Sequence, residues 1–334
     1  MEFLSLMLAA IDASLRPLSL FLAITLCWSY PLTGQEADSG SQTAQQRIVA
    51  TVAGQPITAG QVDRSLKKSL RGAALNEAQQ RVARAATLER LINQRVVFDF
   101  LKTHQAAKVD GEVEIHLNEL DTELKRLESS LNEYLEQSGL TLEEFRFGVS
   151  WKLTWQRYLD LKLTDRVLEI HFGNHKRELD GTELRVSHLL LKLPESADPS
   201  TSELEKIVQK ASQIAAQLKT NPTAWDQVVQ EHSEAPTKES GGEIGWIRIN
   251  GPMPTAFTRE AFKLSVGEVS PPVKTKFGLH LIRCNQIKEG KLGWRDTIDE
   301  VKKGAARVYF DSIVKNHRSN LKIELTEDIP SSKD

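Results

Sequence analysis

A chain of 334 residues exceeds a single small module and fits two domains at roughly 100 to 200 residues each. With 40% hydrophobic and 26% charged residues it has the balance of a soluble globular protein with a sizeable core, which sets general disorder aside. Its net charge of −2, with both signs interspersed, makes no field that would gather nucleic acid or an anionic membrane, so neither is expected as a main partner.

Arg16 precedes an apolar run from Leu18 to Trp28, about the 7 to 15 residues of a signal-peptide core and too short to span a bilayer comfortably. Glu2 and Asp12 lie ahead of it and no Ala-x-Ala site follows, so the segment reads as a cleaved leader or a retained anchor. Leu26 is too large for the small residue expected before a lipid-modified Cys27. The polar stretch from Gly34 to Gln46 is a flexible tether. Without the leader Cys284 alone remains, so no internal disulfide can form; within an apolar strand pattern it reads as a small buried hydrophobe. No Cys/His spacing suggests a metal, and no cofactor is expected.

Residues 47–53 alternate and are β-branched, Gly54-Gln55-Pro56 turns, and Thr58 can cap a helix over 59–70. A longer helical pattern runs from Asn76 to about His104, with Leu88, Ile92 and Val96 on its apolar stripe. Another runs from Asp110 to about Glu136, with Val113, Leu117, Leu120, Leu124, Leu127, Leu131 and Leu135 on one face, and Gly139 stops it. Thr141-Leu142-Glu143-Glu144 is a capping-box signature for the next helix, and a further one starts near Thr164. Residues 170–179 read as its frayed end and a linker.

At Leu184 the period changes from helical to strand-like, which marks a domain boundary. A strand over 184–192 is followed by an acidic Pro/Ser loop, helices over 203–219 and after Thr223, a strand over 243–249 and a Pro-rich loop. Then come a short helix around 259–264, a turn at Gly267, and strands near 269–274 and 279–287. This order suits an α+β domain with an antiparallel sheet. A helix over 296–317 and an alternating tail, Leu321 to Leu325, close the chain, and that tail can pair with Ile48 to Ala53.

His188 and His280 occupy mirrored places in the two strongest strand patterns, Leu184 to Lys192 and Thr275 to Ile282, with Gly241-Gly242-Glu243-Ile244-Gly245-Trp246 between them. One strand histidine alone reads as structural, and Met253 and Phe257 alone as core. Gly241, Gly242 and Gly245 serve backbone shape and Trp246 packing, while His104, His116, His171, His175, His232 and His317 read as solvated positions on helices or their ends.

The run Glu183 to Lys288 resembles the parvulin family of peptidyl-prolyl isomerases. The resemblance implies a four-stranded antiparallel sheet with surrounding helices, and a groove floored by His188 and His280 with the Thr275 hydroxyl in their hydrogen-bond network. It places Met253 and Phe257 around a substrate prolyl ring, with Ile244 lining it and Phe277 at the wall. It also exposes a departure: Ala235 stands where many relatives carry Cys or Asp facing the histidines, so turnover is in doubt. Lys192 falls near the groove mouth, but the loop from Pro194 to Asp198 is acidic and disfavours phosphorylated substrates.

Residues 49–58 resemble the opening of SurA-like and PrsA-like extracytoplasmic foldases. The organisation this implies is a signal peptide or anchor at 1–34, a tether at 35–46, a helical chaperone-like domain at 47–180, the parvulin domain at 183–288, and a C-terminal helix and strand at 289–328 returning to the helical domain. The implied function is an exported, periplasmic or membrane-anchored prolyl isomerase and folding chaperone for unfolded or proline-containing polypeptides. A holdase whose parvulin domain clamps peptide without turnover is the alternative. Any membrane contact would be through the N-terminal segment.

Overall fold

The computed structural model describes residues 46–70, 72, 74–103, 109–193 and 201–326. The chain divides into two units, Met1–Gln46 and Arg47–Asp334, and all the elements belong to the second. The expected leader and all but the last residue of the tether lie outside the described residues, as do His104, the acidic loop from Pro194 to Asp198, and residues 327–334.

Strand β1 (Ile48–Val52) turns at Gly54, whose φ is +77°, into β2 (Gln55–Thr58). Here the sequence reading of a turn alone is corrected: 55–58 pairs antiparallel with β1. Pro56 is tolerated because β2 is the edge of its sheet. Thr58 then caps α1 (Ala59–Leu70): its hydroxyl accepts from the Gln61 N–H at 3.2 Å, and Gln61 Oε1 accepts from the Thr58 N–H at 3.3 Å. Helix α2 (Glu77–Thr103) lays Leu88, Ile92 and Val96 against Val49, Val52 and Ile57 of this sheet.

The single helix expected over 110–136 is two, α3 (Asp110–Arg126) and α4 (Leu131–Ser138). Glu128 takes a φ of +57°, and Ser130 with Glu133 forms a reciprocal capping box that starts the helix afresh. Leu127, expected on the buried face, is exposed in the break. Helix α4 ends on left-handed Gly139, and Thr141 caps α5 (Leu142–Lys162) through Glu144. Thr164 caps α6 (Asp165–Asn174), followed by the single turn α7 (Lys176–Leu179). The frayed linker expected over 170–179 is therefore mostly helix, because Phe172 and Leu179 pack with Leu168 against Val301 and Ala305.

Strand β3 (Glu183–Leu191) opens the second sheet. It is followed by α8 (Thr201–Thr220), α9 (Trp225–His232), β4 (Glu243–Ile247), α10 (Thr255–Ala261), β5 (Val273–Thr275) and β6 (Gly278–Lys288). The strand order is β4-β3-β6-β5, antiparallel throughout. Helix α10 starts earlier than the expected 259–264, directly after Pro254, whose fixed φ and missing N–H suit a helix start. The strand expected near 269–274 is reduced to β5 and a bridge between Val269 and Arg283, since Pro271 and Pro272 offer no N–H to a ladder.

Helix α11 (Ile298–His317) packs on α2 and α6, and β7 (Ile323–Leu325) pairs antiparallel with β1, so the first and last described strands meet in one three-stranded sheet. The fold is α+β: a helical part that holds the first and last described elements, and a four-stranded sheet entered at Glu183 and left at Lys288. Two packing expectations are corrected. Trp246 is half exposed rather than packed. His171 and His175 are not freely solvated but stack with ring centroids 4.3 Å apart, beside Gly304, where any Cβ would overlap the His171 ring. Likewise His317 Nε2 lies 2.9 Å from Asp99 Oδ2.

Candidate active site

Alternation along β3 sends Leu184, Val186 and His188 to one face of the sheet and Leu189 and Leu191 to the other. The first face packs under α10, the second under α8 and α9. On β6, His280 shares the α10 face with Ile282 and Cys284. The register pairs His188 with Ile282 and Leu190 with His280, so the two histidines are diagonal neighbours on adjacent strands. Side chains of this length reach one another across that diagonal.

They do so closely. His188 Nδ1 and His280 Nδ1 are 3.1 Å apart, and the rings lie 5.3 Å between centroids at 19°. Thr275 Oγ1 is 2.8 Å from His280 Nε2 and also accepts the Phe277 N–H at 3.1 Å. Only 8% of His188 and 3% of His280 is accessible. Burial pushes both imidazoles down to about 4, His280 further opposed by the neighbouring His188. Two neutral rings therefore share one proton across the Nδ1 contact, and the network extends through His280 Nε2 to the threonine hydroxyl, which can donate or accept.

Phe257 meets both rings edge-on, at 6.0 Å from His188 and 5.5 Å from His280. It has no accessible surface, lying in the core cluster against which the half-buried Ile244 and Met253 pack. Phe277 is exposed on the turn between β5 and β6. The structure thus gathers His188, His280, Thr275 and Phe257 into one contact set, with Ile244 and Met253 beside Phe257. A prolyl ring can touch Phe257 only if the side chains above it part.

Residues 188–286 match the family model of the PPIC-type PPIase domain, or rotamase. This segment is a parvulin-like PPIC-type PPIase domain. Over a longer stretch, 245 residues are 25% identical to a chaperone SurA from Alkalilimnicola ehrlichii, covering 71% of this chain and 56% of that one. A further 26% identity over 266 residues relates it to a foldase protein PrsA from Clostridium acetobutylicum, covering 73% of this chain and 75% of the relative. A crystal structure of the peptidylprolyl isomerase PrsA from Bacillus anthracis is 20% identical, covering 71% of this chain and 99% of that one with a TM-score of 0.38. The sequence spans little more than half of the SurA relative's length.

In the parvulin domain two backbone devices hold the first histidine. The Gly242 carbonyl accepts the His188 N–H at 2.9 Å, and a Cβ on Gly242 would overlap the His188 carbonyl oxygen. Ser233 does comparable work: its Oγ accepts the Leu190 N–H at 3.3 Å and the Ala235 N–H at 3.2 Å. This ties the Ser233-Glu234-Ala235 segment along β3, with Ala235 buried. The sequence reading does not single out Ser233. A hydroxyl two residues before an otherwise apolar site position was the available signal.

Proposed function

We propose that the parvulin domain rotates X-Pro peptide bonds in unphosphorylated polypeptides, and that the protein is a folding factor acting outside the cytoplasm. The carrying observation is the buried, neutral His188–His280 pair joined to Thr275. Rotation must cross a barrier of about 18 to 20 kcal/mol that comes from amide resonance, and no covalent bond is made or broken. In the twisted state the carbonyl loses conjugation and the nitrogen becomes pyramidal. A dry floor of weak, uncharged donors favours that state over the planar, well-solvated amide. Ile244, Met253 and Phe277 hold the prolyl ring, and Phe257 stiffens both imidazoles from behind.

Binding without turnover is the second reading. Ala235 supplies no polar group to the network, and Phe257 is sealed. Export rests on the apolar run Leu18 to Trp28 and on the SurA and PrsA relatives; recovery of the protein with the cytoplasmic fraction alone would count against it.

Isomerisation of a proline peptide by the purified protein decides between turnover and clamping. We expect measurable catalysis that falls in His188→Ala and His280→Ala and rises in Ala235→Asp, where a carboxyl group restores the missing polar member. Equal rates with all four proteins would remove the enzyme and leave the clamp.

A further inference from the structure

The helical part contains a cavity of about 610 Å³ whose walls come from α1, α2, α4, α5 and the segments beside them, none of which contributes to the histidine site. Its volume is that of a ligand pocket. Its lining combines apolar Ile57, Leu91, Leu140 and Phe147 with cationic Arg64, Lys67, Lys68 and Arg95. Glu144 is the one carboxylate among the described lining residues.

Arg95 is the unusual member. Only 8% of it is accessible, its guanidinium carbon sits 3.2 Å from the Phe147 ring centroid, and among the described residues no carboxylate or carbonyl pairs with it. Glu144 is already engaged. Both its oxygens accept from Arg64 Nη2, at 2.6 and 2.7 Å, and Oε2 also takes the Thr141 N–H at 3.0 Å. Burial lowers the Arg95 guanidinium to about 10 despite the pull of Glu143 and Glu144, as expected for a cation short of counter-charge. A buried arginine is normally paired.

Gly148 adds a second sign. It lies within α5, where a glycine weakens the helix, and its backbone has no left-handed twist that would demand one. A Cβ there would meet no atom within 4 Å. The missing side chain leaves the cavity open without relieving any crowding.

We propose that this cavity binds a polypeptide carboxylate on Arg95, with the adjoining apolar side chain seated against Leu91 and Phe147. The carboxylate comes from a polypeptide's free C-terminus or from an Asp or Glu side chain, and a planar guanidinium stacked on a ring is pre-set to receive it in bidentate fashion. Lys67 and Lys68 at the exposed end of α1 add attraction for the approaching anion. That the ligand is a polypeptide rests on the foldase reading; the cationic cavity does not.

The test uses the full-length protein and three short labelled Gly/Ser peptides, followed by fluorescence anisotropy: one ending in Leu with a free carboxylate, the same peptide as its C-terminal amide, and the amide with Glu placed beside Leu. We expect the free acid, the Glu peptide or both to bind, the plain amide to bind on the order of thirtyfold more weakly, and Arg95→Met and Gly148→Met each to cause a loss of similar size. Which acid binds identifies the source of the carboxylate. Equal binding of all three peptides, binding of none, or unchanged affinity in the folded variants overturns the proposal. Should Arg95→Met fail to fold, Gly148→Met decides alone, and retained affinity there is fatal. Proline-peptide isomerisation, measured on the same proteins, should not change in either variant. A protein that binds the acids yet shows no isomerisation overturns the histidine reading and leaves this one standing.

Discussion

His188 and His280 are neutral at pH 7 because burial penalises their charge, and that neutrality is written into the stability of the fold. Their folded values near 4 lie below the ordinary 6.5, so between those limits the unfolded protein binds protons that the folded one refuses. Stability from the pair is fully present above about pH 6.5 and is lost as pH falls toward 4. At about 1.4 kcal/mol per pH unit for each ring, discounted for coupling and residual solvent, the loss by pH 5 is on the order of 2 kcal/mol. Denaturant unfolding at pH 7 and pH 5 should therefore show wild type losing more stability than the His188→Gln/His280→Gln double variant. Identical losses in the two proteins would mean that the rings are hydrated and free to charge, contrary to their buried contact.

At the scale of elements, the histidines stand where they do because two strands and one turn leave no alternative. Gly242 has a φ of +76° and touches the His188 backbone, whereas Gly245, at +91°, has nothing within 4 Å of its missing Cβ. Gly245→Ala should cost only the left-handed strain of roughly 1 to 2 kcal/mol. Gly242→Ala adds an overlap with the His188 carbonyl and should lower stability well beyond that and abolish isomerisation; comparable melting temperatures for the two variants would refute the assigned role of the β3–β4 contact. The strands behind this argument were legible from alternation, and Thr58, Thr141, Thr164 and Gly139 announced helix ends through local chemistry. Hydrophobic period alone misled over 110–136, where a leucine ladder continued through a break made by the Ser130–Glu133 cap. It also missed β2, four residues with a proline, whose strand character exists only because β1 lies alongside. The strand patterns placed each histidine on a strand, and their pairing was what the parvulin resemblance implied. Arg95 was not legible, since nothing local in α2 shows that Phe147 will lie across its guanidinium.

Across the whole molecule, the apolar clusters sort by sequence segment. Those around β1, α2, α3, α5, α6 and α11 contain no residue between 183 and 288, and those on the two faces of the four-stranded sheet contain none outside it. Across the cut the Arg177 guanidinium donates to the Phe262 and Leu264 carbonyls, and beside it one knot ties the segment entering the sheet to the segment leaving it. In that knot Asp180 Oδ1 accepts from the Thr182 N–H and hydroxyl, Thr182 Oγ1 accepts the Gly290 N–H at 3.0 Å, and the Leu292 N–H donates to the Asp180 carbonyl at 3.0 Å. Segment ends held this close need only a short bridge, and burial of apolar area, the main stabilising contribution, stays on its own side of the cut. Replacing residues 183–289 by a short Gly/Ser linker should therefore leave a helical protein that melts cooperatively, with β7 still paired to β1, while proline isomerisation disappears. Retained suppression of client aggregation would assign polypeptide binding to the helical part. A broad, non-cooperative transition would instead mean that the sheet supports the helices through contacts beyond these polar ones, and the two activities could not be treated as separable.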